Sequence, residues 1–261
     1  MLRAFSTAAT GMSAQQMMVD VTANNLANIN TNGFKRSQID FQDLLYVRMK
    51  EFGSEVSPGV LAPTGTEVGS GVRVAGTVKV FTGGELVNTD RDLDVAIAGE
   101  GFLQVSMPDG STRYTRDGSL QKGPEGRLST NTGYLIEPAI TISTDAVSVD
   151  IGKNGSVNAK DETGNVTVVG TIQLARFSNP SGLASEGDNL LSETLASGTP
   201  TPGEPGASGY GTLQSRFLEK SNVQMVTELV NLITAQRAYE VCSRTIKAGD
   251  DMLRTAIQSA T

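Results

Sequence analysis

The chain has 261 residues, 38% hydrophobic and 19% charged, a balance that excludes both a membrane protein and a highly charged disordered chain. Its formal net charge of -7 repels nucleic acid and anionic lipid. Histidine is absent and Cys242 is the one cysteine, so the usual general base near neutral pH, an intrachain disulfide and a cysteine-built zinc site are all missing.

The first segment is helical. Leu2, Phe5, Ala9, Met12, Val19, Ala23 and Leu26 follow spacings of three and four with Gln16 as the polar gap, a seam for another helix. The helix should end at the run Asn28, Asn30, Asn32, before Gly33. Ser6, Thr7, Thr10, Ser13, Gln15 and Gln16 interrupt any apolar core of a signal peptide, and no stretch approaches a membrane span. Composition alone reads as cytoplasmic, though it is blind to export without a cleaved signal.

The middle reads as β structure. Phe52 to Gly76 is rich in Gly, Pro and Ser and offers few core residues. Asp92 to Val105 predicts two short strands around a Gly-centred turn, and Val147 to Val169 a further hairpin set. Asp109-Gly110, Asp117-Gly118 and Asn154-Gly155 carry the hairpin-turn chemistry between strand-like flanks. Ser197 to Gly211 reads as a loop or linker.

From about Leu218 to Ile257 the pattern predicts a longer helix. Met225, Leu232, Tyr239, Ile246 and Leu253 recur every seven residues. Three positions on stand Glu228, Ala235, Cys242, Gly249 and Ala256, a mostly small row that lets a partner backbone come close. Ser221 is the expected N-cap, with Gln224 at capping-box spacing.

The fold class expected is α+β: two terminal helices packing as a coiled coil, with a hairpin-rich antiparallel body looped out between them. A seam containing several Ala and Gly buries too little apolar surface to offset the ordering of both helices, so the ends should want partners from other copies.

The possible chemical constellations are poor. Asp90, Asp92 and Asp94 start like a calcium loop, but Val95 and Gly101 stand where Gly and Glu are needed. Gly152-Lys153 lies in no phosphate-binding loop, and Gly69, Gly71 and Gly76 make no dinucleotide motif. Cys242 has no histidine to activate it and reads as a structural thiol. No catalytic residue, cofactor or metal is expected.

Ala23 to Lys35, ANNLANINTNGFK, resembles the signature of the flagellar rod and hook protein family: Asn24, Asn25, Leu26, Ala27, Asn28, then Thr31, Gly33, Phe34 and Lys35. DVAIAGEGFLQV from Asp94, YTRDGS from Tyr114, GRLSTNTGYLI from Gly126 and LEKSNVQMVTELVNLITAQRAYE from Leu218 resemble the same family in the same order, so the likeness spans nearly the whole chain. It implies a non-enzymatic subunit that polymerises into a helical tube, with the terminal helices as an inner coiled coil and the β body outside. It also implies residues 1–30 with 216–261 as the helical core domain, 31–71 as an extended connecting segment and 72–215 as the β-rich outer domain. The polymerisation seam would be Leu2, Phe5, Met12, Val19, Met225, Leu232, Tyr239, Cys242, Ile246, Gly249 and Leu253.

Length and the segment FQDLLY (residues 41–46) look most like subunits of the distal rod, the drive shaft that carries torque to the hook; a proximal rod or hook subunit is the alternative within the family. Phe41 and Leu45 match the spaced element by which such subunits engage the flagellar type III export apparatus. The resemblance further implies proximal rod subunits, hook subunits and the peptidoglycan- and outer-membrane-ring proteins as partners. It implies a place in the periplasm-spanning basal body, reached without a cleaved signal peptide, with no nucleic acid bound and no direct membrane insertion. Outside the family, an extracellular β-rich adhesin with helical ends, or a hydrolase, would fit the composition.

Overall fold

The structure, a computed structural model, describes residues 2–53, 55–57, 60–61, 63–143 and 146–260. It has two long helices at the chain ends, α1 (Leu2–Ala27) and α2 (Met225–Ala260), and a mainly antiparallel β body between them. The chain divides into two compact units: Met1–Leu26, Ser37–Val78 and Met225–Thr261 form one, Ala27–Arg36 and Lys79–Gln224 the other.

In the first unit α1 and α2 pack antiparallel. Gly11 lies against Cys242 and Gly249 against Phe5, while Asn25, near the end of α1, reaches Glu228 near the start of α2. Small residues make the approach possible: Ala8, Ala14 and Ala235 are the buried apolar residues of the pair. Short antiparallel ladders follow α1, with Ser37–Asp43 pairing Val72–Lys79 and Val47–Lys50 pairing Thr66–Val68. The Gly/Pro-rich stretch thus holds strands, of which Thr66–Val68 is exposed; its Ser54, Pro58, Gly59 and Ala62 lie outside the described residues.

The second unit is built on a nine-stranded sheet. Its main path runs Leu120–Lys122, Leu128–Thr130, Leu135–Glu137, Phe102–Ser106, Thr112–Thr115, Leu190–Ser192 and Ala184–Gly187; Leu174–Arg176 pairs both Phe102–Ser106 and Thr201–Gly203. Alternation along Phe102–Ser106 sends Leu103 and Val105 into the large core with Val95, Leu120, Ile136 and Leu174. Phe102 points to the other face, where it packs edge-on against Phe81 and Phe177. A three-stranded sheet, Ala146–Ile151, Ser156–Asp161 and Val166–Thr171, adds Val149, Ile151 and Val157 to the large core.

Four local expectations meet a different outcome. The C-terminal helix starts at Met225, because Phe217–Glu219 is a strand paired with Leu86–Asn88. Ser221 is accordingly no N-cap; its Oγ accepts the amide of Val223 in a turn ahead of the helix. Asp109-Gly110 and Asn154-Gly155 do close hairpins, but Asp117-Gly118 does not: the strands on either side of it pair elsewhere, and Gly118 is needed where the chain passes against the Val95 carbonyl. The stretch from Ser197 to Gly211 is no linker, since Thr201–Gly203 joins the main sheet, Ser197 is fully buried and the Tyr210 hydroxyl donates to the Thr201 carbonyl.

Candidate functional site

The Asn-rich signature works in two places. In the first unit, Asn25 is buried at the end of α1, where its Oδ1 accepts the Ser37 amide at 2.9 Å and its Nδ2 donates to the Ser37 carbonyl at 2.8 Å. This two-bond clasp fixes the chain's exit from the helix, as a capping amide does. The same Nδ2 faces the buried Glu228 carboxylate on α2 at 3.5 Å.

In the second unit, the turn after α1 is closed by Asn28, whose Oδ1 accepts from the Thr31 hydroxyl. Gly33 follows at φ +68, and a Cβ there would stand 2.6 Å from the Arg116 carbonyl carbon and the Asp117 amide. Only glycine combines that backbone conformation with that closeness. The Gly33 amide donates to the Glu219 carbonyl at 2.7 Å, and the Arg36 amide to the Asn222 side chain at 2.8 Å. Phe34 lies under the Lys79 ammonium.

Lys35 enters a buried ionic cluster. Its Nζ donates to Glu219 Oε1 at 2.5 Å and to the Thr82 carbonyl at 2.8 Å. Glu219 Oε1 also accepts the Gly84 amide, and Oε2 accepts from Arg116 Nη1 at 3.3 Å. Arg116 donates further to the Gly99 carbonyl and lies over the Phe102 ring. Burial holds Lys35 below its usual lysine range, with the Glu219 charge opposing that shift. Burial likewise lowers Arg116, again opposed by Glu219. The signature ending in Lys35, the YTRDGS stretch and the LEKSN stretch therefore meet at one ion cluster. The cluster ties three distant chain segments together.

The expected seam is only partly closed within the chain. Phe5, Met12, Val19, Leu232, Cys242, Ile246, Gly249 and Leu253 are half-buried, while Met225 and Tyr239 are exposed; Leu2 opens α1. A second apolar stripe, not singled out in the sequence, runs along the start of α2: Val226, Leu229, Val230 and Ile233 are all exposed. Their three-and-four spacing was the available signal. Phe41 and Leu45 are both exposed, at 39% and 86%. Asp94 is buried and accepts from Thr89; among the described residues no group of three or more His, Cys, Asp or Glu side chains converges as a metal site. No helix among them is long and apolar enough to cross a membrane.

Residues 5–35 match the family profile described as flagella basal body rod protein, residues 96–159 that of the flagellar hook protein FlgE/F/G D1 domain, and residues 214–259 that of the flagellar basal body rod FlgEFG protein C-terminal. The chain is 45% identical over 259 residues to the flagellar basal-body rod protein FlgG of Caulobacter vibrioides, covering 98% of this chain and 99% of that one. It is 42% identical over 259 residues to the protein of that name from Borreliella burgdorferi, covering 98% of each. To the flagellar hook-basal body complex protein FlhP of Bacillus subtilis it is 34% identical over 267 residues, covering 97% of each.

Proposed function

The chain belongs to the FlgG family of flagellar basal-body rod proteins, and on that footing we propose that it is a structural subunit of the distal rod, polymerising into the tube that carries torque from motor to hook. The observation that carries the mechanism is α2 itself, which offers one face of small residues to α1 and leaves Val226, Leu229, Val230 and Ile233 uncovered. In the polymer that second face packs on helices of neighbouring copies, and the half-buried seam from Phe5 to Leu253 closes with it. Repeated apolar contacts of this kind resist shear without any reacting group, so the protein works as a packed part and not as an enzyme.

The Lys35–Glu219–Arg116 cluster contributes stiffness. It ties residues 32–36 to residues 219–222 at a point far from either chain end, so neither stretch can slip against the body under load. The proposed partners are further copies of the chain, proximal rod subunits at one end, hook subunits at the other and the surrounding peptidoglycan- and outer-membrane-ring proteins. The four-residue spacing of Phe41 and Leu45 makes this segment the proposed element read by the flagellar type III export apparatus, without a cleaved signal. Immunogold labelling of basal bodies purified from the native host tests the assignment: label on the rod above the inner rings is expected, and label confined to the hook or absent from basal bodies would refute it.

A further inference from the structure

The α1–α2 pair keeps one register along its length. Asn25 meets Glu228 and Gly11 lies against Cys242, so residues 11 to 25 and 228 to 242 are equal spans of fourteen, two heptads on each helix. Gly249 against Phe5 continues the same line. The packing pattern does not choose this register. Along α2 the large row from Met225 to Leu253 and the small row from Ala235 to Ala256 both repeat every seven residues. Sliding α2 by one heptad therefore sets large on large and small on small, while its whole surface moves by about 10 Å along α1.

Glu228 breaks the repeat. It heads the small row as its one charged member, yet it is only 3% exposed. Its place in the first turn of α2 suits a carboxylate, because the N-terminal amides of a helix favour negative charge. Those amides travel with Glu228 wherever α2 slides; the partner that stays behind is Asn25. The clasp on Ser37, 2.9 Å to Oδ1 and 2.8 Å from Nδ2, fixes which way the Asn25 amide points and turns its NH2 toward Glu228 Oε2 at 3.5 Å. A slip of one heptad one way sets Glu228 opposite Met18, whose side chain offers no donor. A slip the other way carries Glu228 past the last turn of α1 and leaves the buried Asn25 amide opposite Ala235. Each slip separates a buried polar group from its partner, which the apolar rows cannot offset because they match equally well in every register.

We propose that Glu228, facing the clasped Asn25, is the register-determining residue of the helix pair: it holds α2 at one heptad offset on α1, so that every copy offers the polymer the same face. This rests on the reading of the chain as a polymerising subunit. A buried polar residue in an apolar seam selects register at some expense of stability. Here a slipped state carries the uncovered stripe from Val226 to Ile233 to the wrong height for a neighbour, and copies in mixed registers cannot share one lattice.

Gly11→Cys supplies the reporter: a Cβ there stands 3.2 Å from Cys242 Sγ, so the in-register chain closes an intramolecular disulfide with the native thiol. Ala4→Cys and Met18→Cys, one heptad to either side, report the two slipped registers. Full-length variants are assembled, equilibrated in a glutathione buffer and separated on non-reducing denaturing gels, where a closed monomer runs apart from an open one and from a linked pair. In the parent background Gly11→Cys should close and the other two should stay open. Glu228→Leu should cut the Gly11→Cys closure at least about threefold and let Ala4→Cys or Met18→Cys close, with melting no lower than the parent's. Glu228→Gln, which keeps an oxygen for Asn25, should restore the parent pattern. Unchanged closure of Gly11→Cys alongside Glu228→Leu, or a fall in melting with no slipped cross-link, overturns the proposal. A chain that never assembles strikes the rod reading instead, and the same three cross-links still decide the register.

Discussion

Lys35 and Glu219 stand 184 positions apart in the chain and meet as a fully buried ion pair, Nζ to Oε1 at 2.5 Å, with Arg116 on the carboxylate's other oxygen at 3.3 Å. Two buried cations thus share one buried anion, and the three members are not equivalent. Replacing Glu219 leaves both cations uncompensated, so Glu219→Gln should destabilise the β unit by about 3–5 kcal/mol. Lys35→Met leaves Arg116 to neutralise the carboxylate and should cost less, about 1–3 kcal/mol. Denaturant melts of the two variants check the order; a larger loss for Lys35→Met would contradict the shared-anion arrangement.

The strap from Ala27 to Arg36 belongs to the β unit, not to the helices. Limited proteolysis of dilute protein should therefore cut first within the exposed residues 41–53, and the strap should stay bound to the 79–224 body after the cut. Gly33→Ala, which forces a Cβ against Arg116 from a left-handed backbone, should loosen the strap and expose Arg36 to trypsin. A strap that is released as readily in the parent chain as in Gly33→Ala would argue against its anchoring.

Close approach of α1 and α2 depends on the small row. A Cβ at Gly249 would already stand 2.7 Å from the Phe5 ring, and Cys242 lies against Gly11. Gly249→Leu or Cys242→Leu should cost about 1–3 kcal/mol locally and suppress polymerisation, while the melting of the β unit is unchanged. Turbidity or sedimentation reads assembly and circular dichroism reads the fold; normal rods from Gly249→Leu would count against close packing at that point.

Tyr114 is buried between the sheet and Phe177, and burial pushes its hydroxyl up to about 12 from 10.0. The folded state therefore keeps the proton that the unfolded chain gives up. Stability from this group is complete below pH 10 and is lost as pH rises toward 12. Tyr114→Phe removes that loss, so its stability relative to the parent should improve steadily across that window. A parallel pair of pH profiles would show that Tyr114 is not held neutral by the fold.

Much of this architecture was legible in the sequence because it rests on local signals. The three-and-four spacing from Leu2 to Leu26 gives α1, which ends at Ala27, just ahead of the expected stop at Asn28, Asn30 and Asn32, and Asn154-Gly155 gives its hairpin. The signature from Ala23 to Lys35 could be recognised as a string, but what it does could not be read from it. Asn25 clasps Ser37 and Lys35 finds Glu219 only after the chain has returned from far downstream, and no local spacing encodes that meeting. The start of α2 differs from the sequence pattern for the same reason: Phe217–Glu219 has helix-compatible residues, and its strand state is set by Leu86–Asn88. The stretch from Ser197 to Gly211 looked loose because Gly and Pro mark turns, whereas the turns here pack against the sheet.

Electron cryomicroscopy of the full-length protein, concentrated until it assembles, tests the central claim most directly. The account predicts straight tubes in which α1 and α2 form the inner wall and the face of Val226, Leu229, Val230 and Ile233 is covered by helices of neighbouring copies. Monomers that stay monomeric at every concentration with both helices folded, or tubes that leave that face open to solvent, would contradict it.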